Sequence, residues 1–140
     1  TIDAAMESFG MPMGPIELAD TVGLDVCLAA GKELAKKTPV TEADAPQVLL
    51  NKVALGQLGR KTGQGIYRYE KGRPQKGAPG AVTPDLVEAL IEPYLAEARA
   101  VQAEGIVADA DLIDAGLIFG TGFAPFHGGP MHYLATGKRA

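Results

Sequence analysis

The chain has 140 residues and a mass of 14.5 kDa, with 46% apolar and 21% charged side chains. That is enough for one ordinary domain or two small subdomains with a real core, and it argues against whole-chain disorder. A net charge of −4 and a pI near 5.1 argue against nucleic acid as the main partner. No apolar run approaches the roughly 20 residues that span a bilayer, and Thr1-Ile2-Asp3-Ala4 lacks the basic start and apolar stretch of a signal peptide. The lone Cys27 cannot form an internal disulfide, which fits a reducing intracellular setting, and among Leu24, Val26 and Leu28 it reads as core filler.

In chain order, Ile2 to Phe9 is a short helical pattern ending at Gly10. Met11-Pro12-Met13-Gly14-Pro15 is a rigid turn, with Gly14 as helix cap and Pro15 as first helical residue. Ile16, Ala19, Val22, Val26, Ala29 and Ala30 then recur at helical spacing. Gly23 breaks that pattern into two helices, which run to about Lys37 and stop at Thr38-Pro39. Ala45 to Leu55 reads as another helix. Gly56 to Tyr69 is a glycine-punctuated basic turn, with 64–69 the only strand-like piece, and residues 70–84 have linker composition.

A long amphipathic helix of about Leu86 to Glu104 follows, with Leu86, Leu90, Tyr94, Ala98 and Val101 on its apolar stripe and a kink expected at Pro93. Gly105 ends it. Asp109 caps the next helix, which carries Leu112, Ile113 and Leu117. Phe119 to Pro130 is turn-rich, and Met131 to Leu134 starts a final helix.

The chain repeats itself. Ile2-Asp3-Ala4 recurs as Ile113-Asp114-Ala115, Phe9-Gly10 as Phe119-Gly120, and Pro15 as Pro125. A long helix precedes the second copy and nothing precedes the first. The fold expected is therefore all-α: two related helical subdomains, 1–69 and 85–140, joined by the 70–84 linker, with the first copy lacking its leading helix and the chain a fragment of a longer protein. The uncovered first copy should expose an apolar groove that invites dimerisation or swapping.

Phe9 to Asp20, followed by Val22-Gly23-Leu24-Asp25-Val26, resembles the C-terminal domain of NAD-dependent 3-hydroxyacyl-CoA dehydrogenases. Gly59-Arg60-Lys61-Thr62-Gly63-Gln64-Gly65-Ile66-Tyr67 resembles the basic glycine turn that closes one copy of that domain. Pro93 to Ala98, Glu104-Gly105 and Gly122 to Pro130 resemble the second copy found in the multifunctional α-subunit of the fatty-acid oxidation complex. The resemblance implies an enzyme that oxidises 3-hydroxyacyl-CoA to 3-ketoacyl-CoA with NAD, alongside a separate enoyl-CoA hydrating domain. Its partners would be the acyl-CoA substrate, a dinucleotide-binding domain, a second copy in a homodimer, and a thiolase subunit. The setting would be the bacterial cytoplasm or the mitochondrion.

The family's catalytic His/Glu pair, its Asn-Arg pair and its dinucleotide glycine fingerprint have no counterpart in these residues. Asn51, the only asparagine, is followed by Lys52 in an ordinary helix. No catalytic residue is therefore assigned, and the chain alone is expected to bind no NAD and to oxidise nothing.

The candidate substrate-lining residues are Met11, Pro12, Met13, Gly14 and Pro15, because adaptable methionines on a proline-stiffened turn suit an acyl chain; a purely structural helix start is the alternative. Segment 60–76 holds six basic residues against one acidic, which makes Arg60 and Lys61 candidates for contact with CoA phosphates or an acidic partner, the alternative being a solvated loop. Lys61-Thr62 is not a phosphate loop, since Arg60 stands where the glycine is needed. His127 and His132 are five apart with no ligand cluster, so no metal site is assigned. Glu17, which aligns with His127 across the repeat, reads as an acid at a helix N-terminus. A non-catalytic dimerisation or docking module is the alternative to the dehydrogenase reading.

Overall fold

The computed structural model describes residues 1–36 and 45–136. The helices, in chain order, are α1 (Ile2–Phe9), α2 (Pro15–Val22), α3 (Leu24–Ala35), α4 (Gln47–Ala54), α5 (Pro84–Ala103), α6 (Ala110–Thr121) and α7 (Pro130–Thr136). Short 3-10 turns lie at Arg60–Thr62 and Pro125–His127. The expected stop at Thr38-Pro39 lies outside the described residues.

The expected starts and stops are local and they hold. Gly10 takes a left-handed φ of 107° and returns its N–H to the Glu7 carbonyl, and Met11 N–H follows to the Met6 carbonyl, closing α1. Gly23, at φ 112°, separates α2 from α3. Asp109 accepts from the N–H groups of Asp111 and Leu112 at the start of α6.

The fold is helical as expected, with one small two-stranded addition. Arg68–Glu70 (β1) and Arg73–Gln75 (β2) form an antiparallel hairpin, with Tyr69 opposite Pro74 and Glu70 opposite Arg73. The hairpin thus takes up residues 70–75 of the segment read as linker. Lys71 and Gly72, the two residues between the strands, have φ of 50° and 76°, as a two-residue hairpin turn requires.

Contacts divide the chain into two compact units, Pro15–Pro79 and a second that joins Thr1–Gly14 to Gly80–Ala140. This cut differs from the copy boundaries read from the sequence. The physical reason is that α1 is too short to stand alone and buries Met6 and Phe9 in a core with Ile91, Leu95, Phe123 and Ala124. Phe9 meets Phe123 edge-on at 5.8 Å, and Tyr94 stacks on Phe123 at 5.3 Å. The Tyr94 hydroxyl lies 2.6 Å from Thr121 Oγ1.

Within that unit α5 runs unbroken through Pro93. Its fully buried stripe is Ile91, Leu95 and Ala98, with Val87, Leu90 and Tyr94 at the edge. Of the expected stripe Leu86, Leu90, Tyr94, Ala98 and Val101, Ala98 is fully buried and Leu90 and Tyr94 edge the core, while Ile91 and Leu95, each one residue further on, form its centre. Neighbouring stripes on a helix lie about 100° apart, and only the packing partners choose between them.

The repeat is real in one feature and misregistered in another. Asp3 in α1 is buried against Gly14, and Asp114 in α6 is buried against Gly129. A Cβ on either glycine would run into the carboxylate side chain. A proline follows each glycine and opens a helix, α2 at Pro15 and α7 at Pro130. Pro15 therefore corresponds to Pro130, not to Pro125, which starts a 3-10 turn. Phe9 and Phe119 are not equivalent either. Phe119 is still inside α6 and 89% exposed, whereas Phe9 is in the core.

Candidate functional site

The unit Pro15–Pro79 is organised around one carboxylate. Asp20, near the end of α2, is fully buried, and its two oxygens accept from the backbone N–H groups of Ile66 and Tyr67, both at 2.8 Å. Buried charge is tolerated only when its lone pairs are met, and two amide donors do that here. Gly59 and Gly65 let the backbone close round this residue. A Cβ on Gly59 would strike the Asp20 carbonyl oxygen, and one on Gly65 would strike the carboxylate.

Thr62 braces the same turn. Its hydroxyl oxygen accepts from Leu58 N–H at 2.9 Å and lies 2.9 Å from the Gln64 carbonyl and 3.1 Å from that of Gly59. The Gly59–Tyr67 motif is thus a staple that fixes α2 to the hairpin.

Lys61 extends the staple outward. Its Nζ donates to both oxygens of Asp25, at 2.6 and 2.8 Å, and this bond holds the Asp25 carboxyl below the usual carboxylate range. Arg60, next to it, makes no ion pair or side-chain hydrogen bond among the described residues, and its guanidinium lies beside Gly72 at the hairpin tip. Tyr69 is buried beneath the hairpin with no hydrogen-bond partner for its hydroxyl. Desolvation, reinforced by the nearby negative charge of Asp20, pushes its pKa up to about 12. Cys27 packs with its sulfur 3.8 Å from the Ala19 carbonyl oxygen.

In the other unit, Met11 packs against the edge of the aromatic core, its N–H bonded to Met6 O at 3.0 Å. Pro12 lies against Gly122, and Gly14 seats Asp3. Pro12 and Pro15 are exposed, and Met11 and Met13 are half-buried. The structure therefore places Met11 to Gly14 in one unit and Arg60 and Lys61 in the other.

Sequence reasoning did not single out a cleft of about 520 Å³ in the first of these units, lined among others by Phe9, Val87, Ile91, Phe126, His127 and Tyr133. His127 Nε2 lies 3.0 Å from the Phe9 carbonyl oxygen, so Nε2–H is the donor and satisfies an orphan carbonyl at the end of α1. Phe9, Phe126 and Tyr133 surround its ring at 4.5, 4.2 and 4.9 Å. Asp114 accepts from the N–H groups of Met131 at 2.6 Å and His132 at 2.9 Å, capping α7 from a neighbouring helix. Asp20 and Asp114 were missed because their donors lie far along the chain. Their only sequence signal was an acid set among apolar residues. Among the described residues no group of three or more His, Cys, Asp or Glu side chains is placed to hold a metal ion, and no helix is long and apolar enough to cross a membrane.

Helices held by carboxylate-to-amide staples, with a basic glycine turn closing one unit, define a mostly helical domain. Residues 1–69 match the family described as 3-hydroxyacyl-CoA dehydrogenase, C-terminal domain, and through this stretch the chain belongs to that family. It is similar to a probable 3-hydroxyacyl-CoA dehydrogenase of Caenorhabditis elegans, 47% identical over 72 residues, 50% of this chain and 24% of that protein. A 3-hydroxybutyryl-CoA dehydrogenase of Bradyrhizobium diazoefficiens is 42% identical over 52% of this chain and 25% of its own. The fatty acid oxidation complex subunit alpha of Shewanella sp. strain MR-7 is 33% identical over 96% of this chain and 21% of that protein. The chain thus spans about a quarter of the length of these curated relatives. The crystal structure of the dehydrogenase part of multifunctional enzyme 1 from C. elegans shares the fold, with a TM-score of 0.58 and 23% identity over 78% of this chain and 27% of that one.

Proposed function

We propose that this chain is the substrate-side helical part of an enzyme that oxidises 3-hydroxyacyl-CoA to 3-ketoacyl-CoA with NAD in fatty-acid β-oxidation. The observation that carries the reading is the stapled motif. Residues 1–69 match the family's C-terminal domain, while Asp20, Asp114 and His127 are each committed to backbone groups of the chain itself. Asp20 and Asp114 thereby serve the packing of helices and hairpin, and His127 uses its Nε2–H to close the end of α1.

In this reading Met11, Pro12, Met13, Gly14 and Pro15 line the acyl chain; separately, Arg60 and Lys61 contact CoA phosphates or an acidic partner; and the chain alone is inactive. NAD and the catalytic groups belong to a dinucleotide-binding domain that acts with it. The bacterial cytoplasm is the setting that the oxidation-complex relatives favour, with a thiolase subunit as a further partner.

Complementation tests this. The chain is mixed with the dinucleotide-binding part of a relative, NAD and 3-hydroxybutyryl-CoA, and NADH is followed. Activity in the mixture alone is expected. Equal activity with and without the chain, or NADH formed by the chain alone, would overturn it.

A dimerisation or docking module is the second reading, and one surface favours it. Leu112, Gly116, Phe119 and Gly120 form an exposed face of α6, with open space above both glycines. Retention of the oligomeric state in Phe119→Ser would count against that reading.

A further inference from the structure

The cations of the Pro15–Pro79 unit are not all used by its fold. This unit carries ten basic and seven acidic side chains, while the rest of the chain carries three and ten. Lys61 is paired with Asp25 and Lys76 with Glu17. Arg68 takes Glu70, at 3.8 Å, although Glu70 is the cross-strand partner of Arg73. Arg60, Lys71 and Arg73 are left at one place, the tip of the β1–β2 hairpin, all exposed and without an ion pair among the described residues.

Two details show that the tip is shaped and not merely basic. Lys71 is the one non-glycine residue with positive φ among those described. A two-residue hairpin turn there is served far more readily by asparagine or glycine, so the strained position keeps a cation. The Arg60 guanidinium reaches the tip from the 3-10 turn at Arg60–Thr62 and lies beside Gly72 at ordinary contact distance. A Cβ on Gly72 would come within 3.4 Å of Arg60 Nη2. The staple of Asp20 and Thr62 fixes the turn that carries Arg60 and the backbone leading into the hairpin.

We infer that Arg60, Lys71 and Arg73 form a binding site for the diphosphate group of a soluble nucleotide-like ligand. Two guanidinium groups can each grip a phosphate bidentately, and the ammonium adds a third compensating charge. A diphosphate matches three neighbouring cations better than a single carboxylate does. That the diphosphate belongs to coenzyme A rests on the proposed acyl-CoA reading; the site itself does not.

The test titrates the full chain with inorganic pyrophosphate and, separately, coenzyme A, following backbone amide NMR signals. Shifts confined to residues 59–73 are expected. Lys71→Asn should weaken pyrophosphate binding roughly threefold to tenfold while leaving the fold intact or firmer, because asparagine suits the turn. Arg73→Gln should weaken it by a similar factor. Absence of shifts at millimolar pyrophosphate would overturn the site, as would shifts that both variants leave unchanged.

Pyrophosphate binding without coenzyme A binding would keep the site and overturn its assignment to coenzyme A. Co-sedimentation with vesicles of equal parts phosphatidylcholine and phosphatidylserine, without pyrophosphate binding, would replace it with a lipid surface.

Discussion

Asp20 and Ile66 are 46 positions apart in sequence, yet the Asp20 carboxylate accepts the Ile66 amide at 2.8 Å with no exposure to solvent. With the matching bond from Tyr67, this is the contact that turns a glycine-rich loop into a closed staple. Asp20→Asn should keep one acceptor and set an amide group against a backbone donor. The expected cost is about 3 kcal/mol, since hydrogen bonds to a buried charge are each worth about 1.5–3 kcal/mol. Urea unfolding of the variant against the parent chain measures it.

The glycines of the staple should separate by mechanism. Gly65→Ala places a Cβ against the Asp20 carboxylate, whereas Gly63→Ala meets open space but has φ of 76°. Gly63→Ala should cost about 1–2 kcal/mol for its left-handed backbone. Gly65→Ala should cost more, because backbone must move. Equal losses in thermal unfolding would contradict the packing.

Phe119 and Phe123 test the corrected repeat register. Phe123 is fully buried and Phe119 is 89% exposed. Phe123→Ala should destabilise by about 3–5 kcal/mol, and Phe119→Ala should stay within about 0.5 kcal/mol. The reverse order would restore the sequence-based pairing of Phe9 with Phe119.

Tyr69 makes stability fall on the alkaline side. Its folded pKa of about 12 lies above the ordinary 10.0. The neutral phenol's contribution is full below pH 10, falls away as the unfolded chain ionises first, and is gone above about 12. Tyr69→Phe should remove this loss in unfolding curves taken across that window. At neutral pH it should be close to neutral or stabilising, because the hydroxyl it deletes has no partner.

Asp25 acts in the opposite direction. Its carboxyl is held low by the Lys61 hydrogen bond, so the contribution is present above the unfolded pKa and lost as pH falls through the folded one. The pair is solvent-exposed, so the effect is small and screened by salt. Lys61→Met should flatten the acid limb slightly at low ionic strength and leave it unchanged at high ionic strength.

Local chemistry was legible from the residues alone. The helix ends at Gly10, Gly23 and Gly105, the Gly14-Pro15 start and the Asp109 cap depend on residues within a few positions of one another, and a glycine, proline or aspartate there acts whatever the rest of the chain does. The family motif was legible for the same reason, since it lies in two contiguous segments, 9–26 and 59–67.

What only the tertiary structure decided is where distant pieces meet. The partners of Asp20 and Asp114 are such cases, as are the use of Lys61 by Asp25, the buried stripe of α5 and the equivalence of Pro15 with Pro130. Each turns on a contact between elements many residues apart, which a one-dimensional pattern cannot fix. An apolar or acidic residue states that it wants burial or a donor. The packing of other helices and strands determines which one it gets.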